Sequence, residues 1–297
     1  MENKRVELKT QVSPFAVYEG EELVHIESPV KGHYLLLNEL EEEIIKAIGK
    51  FLVLNNFLLQ CYLKKLGMEF SSDEMTKTLR CLFYNGYLVK KQFLTNPEKK
   101  SGYYIYFLGW RGKEYLYSKG KTVRLQGYMN QCGTVRLKKI LAANQLMIKM
   151  FDASVFENAH TGQMIVCGIP NTPTNHLFRS YGFLNDENIG TYIFEPVRNE
   201  NQLVEELIEK LKRIDYVLRN PKKCNQMLVT VPTVVIVAES RAQMDNLMME
   251  EKLKKYNNKT TFELAFSYDR AAVDLEKKDM LFYMEKRVGF WKRLLVG

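Results

Sequence analysis

Ser71 to Lys91, SSDEMTKTLRCLFYNGYLVKK, carries the sharpest local signal in the chain. Ser71 and Glu74 have the spacing of a capping box, in which the hydroxyl and the carboxylate satisfy each other's backbone N–H groups, and Asp73 suits the positive first turn. A helix therefore starts here. Met75, Leu79, Leu82 and Phe83 recur at i, i+4, i+7 and i+8 and form one apolar stripe. Thr76, Lys77, Arg80 and Tyr84 fall on the opposite stripe, and Asn85-Gly86 supplies the stop. One stripe packs, and the other is open to a partner.

Upstream, Asn38 can cap a helix whose apolar face is Leu40, Ile44, Ile45 and Ile48, with Glu39 and Glu41 to Glu43 at its positive end. A second helix starts at Asn55 or Asn56, carries Leu58, Leu59, Tyr62, Leu63 and Leu66, and ends at Gly67. Downstream, Tyr87 to Leu94 and Tyr103 to Leu108 read as strands flanking a polar tip from Thr95 to Gly102. Three helices followed by a basic β-ribbon is the element order of a winged helix-turn-helix. Arg80 and Lys77 would then donate to guanine edges or phosphates, and Thr76 and Tyr84 share their face. Lys90, Lys91, Lys99 and Lys100 would let the ribbon follow the phosphate backbone, and Arg111 and Lys113 extend the basic surface into the next helix. The rival reading is a three-helix protein-interaction module whose outer face happens to be basic.

Charge divides unevenly along the 297 residues. Residues 86–149 hold 13 Lys and Arg against two Glu, a net +11, in a chain of net charge +8. A polyanionic partner explains that excess economically, although a solvated basic surface would also produce it. The 46% apolar and 26% charged composition is that of a globular protein. The longest apolar stretch, near Met227 to Ala238, is shorter than the roughly 18 residues a spanning helix needs, and the N-terminus has no signal-peptide core, so a cytoplasmic chain with no membrane insertion is expected. Cys61, Cys81, Cys132, Cys167 and Cys224 form no Cys-x-x-Cys pair, the four histidines are dispersed, and no glycine-rich phosphate-binding motif occurs. Reduced thiols and no cofactor are expected.

Residues 1–37 read as an N-terminal extension, 38–120 as the winged helix-turn-helix with a short helix at Lys113 to Ser118, and 121–133 as a linker. Residues 134–297 read as an α/β domain. It opens with an amphipathic helix, Thr134 to Phe151, that exposes Arg136, Lys138, Lys139 and Lys149. Strands follow near Ala153 to Glu157, Gln163 to Ile169 and Thr191 to Val197, then a helix from Asn199 to Asn220. A buried strand at Thr233 to Ala238, a helix from Ser240 to Lys255 and a strand at Thr260 to Phe266 complete it. This order can host a metal-dependent nuclease site, with Asp186 or Glu187 as the first carboxylate and Glu195 as the second. The lysine such a site wants two residues after the glutamate is Val197, and Arg198 is displaced to the other strand face unless Pro196 introduces a bulge. Otherwise Leu184 to Asn188 is a turn with solvated acids. His160 and His176 have no obvious nucleophile partner, and the tail Phe290 to Val296 can pack, dock a partner or touch a membrane surface.

The combined pattern resembles the replication-relaxation family of plasmids and integrative mobile elements. The resemblance rests on Ser71 to Lys91, on Tyr103 to Gly120 (YYIYFLGWRGKEYLYSKG) and on Thr134 to Phe151 (TVRLKKILAANQLMIKMF). It continues through Tyr192 to Arg219 (YIFEPVRNENQLVEELIEKLKRIDYVLR) and Thr233 to Leu247 (TVVIVAESRAQMDNL), about residues 38–255 in all. The family strand commonly has Glu, one residue, Asp and Arg; Glu195 and Arg198 match, and Val197 replaces the Asp. The resemblance implies a restriction-endonuclease-like second domain. It also implies a sequence-specific double-stranded DNA-binding accessory protein of conjugative DNA processing or replication, acting at an origin beside a relaxase. A homodimer is compatible with this reading; a divalent-cation-dependent nuclease and a winged-helix transcriptional regulator are its alternatives.

Overall fold

The computed structural model describes residues 13, 15, 21–27, 34–96, 101–121, 132–162, 164–167, 176–198, 202–220 and 228–284. The chain is a mixed α/β protein. In its first part, β1 (Glu22–Ile26) precedes α1 (Glu39–Phe51), β2 (Leu54–Asn55), α2 (Asn56–Lys65), α3 (Ser72–Tyr84), the hairpin strands β3 (Leu88–Asn96) and β4 (Ser101–Leu108), and α4 (Trp110–Ser118). The helix starts are chemical: Asn38 and Ser71 each form a capping box, with Glu41 and Glu74, and the Asn55 side chain accepts from Leu58 N. Because the Ser71 cap is exposed, Ser71→Ala is expected to cost only ~0.5–1 kcal/mol in denaturant unfolding. Gly86, at φ +75°, ends α3, and a Cβ on Gly109 would stand 2.2 Å from the Gly86 carbonyl oxygen, so the hairpin returns tightly against the end of that helix.

The four-stranded sheet has the order β1-β3-β4-β2. Strand β1 lies within the stretch read from the sequence as an irregular extension, and it covers the outer edge of β3 from Glu22↔Leu94 to Ile26↔Lys90. An edge strand is created by its neighbour, which explains why five residues gave no local signal. Most of the expected linker, residues 122–131, lies outside the described residues, as do Lys99, Lys100 and the tail.

Helix α5 (Thr134–Met150) differs from expectation. Every residue from Leu137 to Ile148 is buried, so Lys138 and Lys139 are not on a basic surface. The helix has neighbours on several sides: the Asn144 amide donates to the Phe51 and Val53 carbonyls, each at 2.9 Å, while Met147 meets Gly182 on the opposing sheet. A helix packed on several sides over residues 137–148 exposes no face there, whatever charges it carries; Lys149, near its end, is exposed as expected, and Arg136 is half-buried. Lys138 donates to the Glu21 carboxylate and stands 5.5 Å from the Phe93 ring.

A 3-10 helix, Ala153–Asn158, replaces the strand expected at Ala153 to Glu157; its adjacent Val155 and Phe156 are both buried, whereas a strand would send them to opposite faces. Then come β5 (Ala159–His160), the separate hairpin β6 (Met164–Cys167) and β7 (His176–Arg179), β8 (Gly182–Asp186), β9 (Gly190–Pro196), α6 (Leu203–Arg219) and β10 (Thr233–Ala238). The helix expected from Ser240 to Lys255 is two, α7 (Arg241–Met249) and α8 (Glu251–Asn257). They break at Glu250, whose side chain accepts from Lys252 N. Strand β11 (Glu263–Tyr268), a short α9 (Ala271–Asp274) and β12 (Phe282–Tyr283) finish the described chain.

These strands form a six-stranded sheet, β12-β11-β10-β9-β8-β5, with β9, β10 and β11 parallel and the outer pairings antiparallel. Val234 to Val237 are fully buried, as a central parallel strand requires. At the carboxyl ends of the three parallel strands sits a buried charge cluster. Arg198 Nη2 lies 3.2 Å from the Asp269 carboxylate and 3.3 Å from the Lys138 carbonyl, and Nη1 donates to the Val197 carbonyl at 2.7 Å. Ser13 donates to the same carboxylate, and Glu239 lies 3.7 Å from Arg198 Nε. Burial raises the Asp269 carboxyl to about 6, against the opposing pull of Arg198 and Ser13.

Candidate nucleic-acid interface

The start of α2, the outer stripe of α3 and one face of the hairpin enclose a groove of about 710 Å³. Asn55, Asn56, Phe57 and Gln60 form one wall, Thr76, Arg80, Phe83 and Tyr84 the second, and Lys90 with Tyr104 and Tyr106 the third. The hairpin register explains the third wall. Lys90 opposes Tyr106 and Gln92 opposes Tyr104, so these side chains share one face of the sheet.

Cations and rings are paired throughout. Arg80 Cζ lies 5.4 Å from the Tyr84 ring centre, while Lys90 Nζ lies 4.3 Å from that of Tyr104 and 5.0 Å from that of Phe83. Burial pushes the Tyr106 hydroxyl up to about 12, so it remains a hydrogen-bond donor at neutral pH. The Gln60 amide donates to Asn56 Oδ1 at 3.2 Å, fixing two amides on the first wall.

Of the residues singled out in the sequence, Thr76, Lys77, Arg80 and Tyr84 are exposed on α3, and all but Lys77 line the groove. Thr76 Oγ1 donates to the Ser72 carbonyl at 2.8 Å. Lys90 lines the groove, but Lys91 does not: it is buried, with Nζ 5.5 Å from the Phe107 ring on the other face of the sheet. Adjacent residues of a strand cannot share a face, so the two lysines cannot both serve one surface. Desolvation lowers the Lys91 ammonium pKa. Arg111 is also buried; it donates to the Asn85 carbonyl at 2.9 Å and lies 4.9 Å from both the Tyr34 and Trp110 rings, fastening the end of α3. Lys113 is half-buried. The sequence reading missed Asn55, Asn56, Phe57, Gln60, Tyr104 and Tyr106; the alternation in Tyr103-Tyr104-Ile105-Tyr106 was the available signal for the last two.

The carboxylate pair considered as a metal site does not converge. Asp186 opposes Gly190 at the turn of the β8–β9 hairpin, whereas Glu195 lies five residues further along β9, about 16 Å away at ~3.3 Å per residue. Asp186 is buried and serves the turn, accepting from Asn158 Nδ2 and from the backbone of Asn188 and Ile189, which together hold its carboxyl below the usual range. It is therefore not a solvated turn acid. Glu195 is fully buried and accepts from Lys210 of α6. Tyr192 and Phe194 meet Phe151 at the end of α5, so β9 presents alternate residues to opposite helices, and Arg198 falls on the α5 side. Among the described residues, no group of three or more His, Cys, Asp and Glu side chains is placed to hold a metal ion, and no helix is long and apolar enough to cross a membrane.

Comparison of the chain with protein-family models, with curated proteins and with solved structures finds no match.

Proposed function

We propose that this chain binds double-stranded DNA sequence-specifically, with residues 38–120 working as a winged helix-turn-helix. Helix α3 is its recognition helix, the β3–β4 hairpin its wing, and β2 the short strand that completes the wing sheet. The observation that carries this reading is the exposed stripe Thr76, Lys77, Arg80 and Tyr84, all of which but Lys77 border the same concave face as Lys90 of the wing. A capped helix with an exposed polar stripe suits a major groove, and flanking cations suit phosphates.

We read the part from residue 134 onward as a restriction-endonuclease-like α/β domain, supported by its antiparallel β8–β9 hairpin, crossover helix α6 and parallel β10. Its role is dimerisation, further DNA contact or docking of a partner. Resemblance to the replication-relaxation family adds the setting: an accessory protein of a plasmid or integrative element, acting at an origin beside a relaxase.

Footprinting on the DNA flanking the gene, followed by fluorescence anisotropy on the protected duplex, tests the reading. Lys90→Gln is expected to lower the slope of log affinity against log salt by about 1, while Lys91→Gln, already withdrawn from the surface, leaves it unchanged. A wild-type chain that binds no duplex at roughly 50 mM salt overturns the proposal. Protection confined to promoters would replace the origin role with transcriptional regulation.

A further inference from the structure

Three large aromatic side chains stand exposed around the groove: Phe57 at 55%, Tyr104 at 42% and Tyr84 at 39%. A duplex gives such rings little to contact, because its base faces are hidden in the stack and it presents phosphates and groove edges. Bases out of the stack present two π-faces each, and aromatic platforms flanked by cations are how they are held. The groove supplies each component. Its volume of about 710 Å³ is within the usual range of a small-ligand site. Arg80 and Lys90 rest on the faces of Tyr84 and Tyr104, and the long Lys90 side chain can swing onto a phosphate. The linked amides of Asn56 and Gln60 offer donors and acceptors to a base edge.

We propose that this groove receives an unpaired DNA base among Phe57, Tyr84 and Tyr104, with Lys90 neutralising its phosphate. The inference rests on the DNA-binding reading and deepens it: the chain prefers DNA whose strands are locally open. A base already unpaired needs no unstacking energy, so melted or mismatched DNA is the favoured form.

The test is anisotropy of the full chain with a labelled duplex of about 20 base pairs and with the same duplex carrying a central bubble of about four mismatched thymines. The bubble is expected to bind about tenfold tighter, and the Phe57→Ala/Tyr104→Ala double variant to reduce that ratio to below about twofold. Tyr104→Phe, which keeps the ring, is expected to retain the preference. Equal affinity of the wild type for the two DNAs overturns this inference and leaves the duplex reading standing. A ratio that survives in the double variant also overturns it, since the preference would then come from DNA flexibility. Failure to bind either DNA overturns both readings.

Discussion

Arg198→Ala is expected to destabilise the chain by ~3–5 kcal/mol, the cost of leaving a buried charge without its partner. Asp269 is only 2% exposed and Arg198 1%, so water cannot replace the lost guanidinium. Arg198 also bridges the Val197 and Lys138 carbonyls, tying the end of β9 to α5. A loss of that size lowers the melting temperature by roughly 6–15 °C in a chain of this length. The deficit depends on pH with a definite sign. Asp269 titrates near 6 in the folded chain, above its ordinary value, so its contribution is fully present at low pH and is lost as pH rises through about 6. Removing Arg198 removes a pull that lowers this carboxyl, so the loss continues to higher pH in the variant. The melting-point gap between wild type and variant is therefore expected to be wider at pH 8 than at pH 5. The double variant Arg198→Met/Asp269→Leu, which removes both charges, is expected to recover most of the stability. A single variant as stable as wild type at pH 8 would mean that the pair contributes nothing to the fold.

The parts of this architecture that were legible in the sequence are those fixed within a few residues. Asn38, Asn55 and Ser71 announced three helices because a cap needs only its own first turn, and Gly67 and Gly86 ended two of them through positive φ. The apolar stripe of α3 was likewise local. Burial of Lys138 and Lys139 was not, because it depends on α1, α2 and the six-stranded sheet all closing on α5, and none of these contacts has a signature within that helix. The same holds for β1, whose partner lies about seventy positions downstream. Lys90 and Lys91 show an intermediate case: strand alternation says that they part, but only the packing of the hairpin against α3, where Lys90 meets Phe83, says which one faces that helix. At least four of the cations behind the charge excess of residues 86–149 are interior: Lys91, Arg111, Lys138 and Lys139. Net charge counts residues, whereas a polyanion meets only those at the surface, so the DNA reading rests on the placement of Arg80, Lys77 and Lys90 rather than on the excess itself.

Arg80→Ala is expected to weaken binding to the protected sequence by ~1–3 kcal/mol, roughly 5- to 150-fold, while changing affinity for unrelated duplex far less. Arg80 is exposed at mid-helix on α3, one turn beyond Thr76 and one turn before Tyr84, so it is the longest side chain on the stripe that can reach a base edge. Its guanidinium rests on the Tyr84 ring at 5.4 Å, which limits its rotamers in the free chain, so less entropy is expected to be lost if it engages a base. A planar fork fits the two acceptors of a guanine, whereas an ammonium does not, so Arg80→Lys is expected to keep most of the salt dependence and lose most of the discrimination. Because the side chain is exposed and α3 keeps its capping box and apolar stripe, Arg80→Ala should melt within about 1 °C of wild type. Competition titrations of the footprinted site against scrambled duplex, at fixed salt, separate the two contributions. Equal losses on both DNAs would reassign Arg80 from reading sequence to contacting phosphate, and the specificity would then have to come from the shape of the DNA or from another element of the chain.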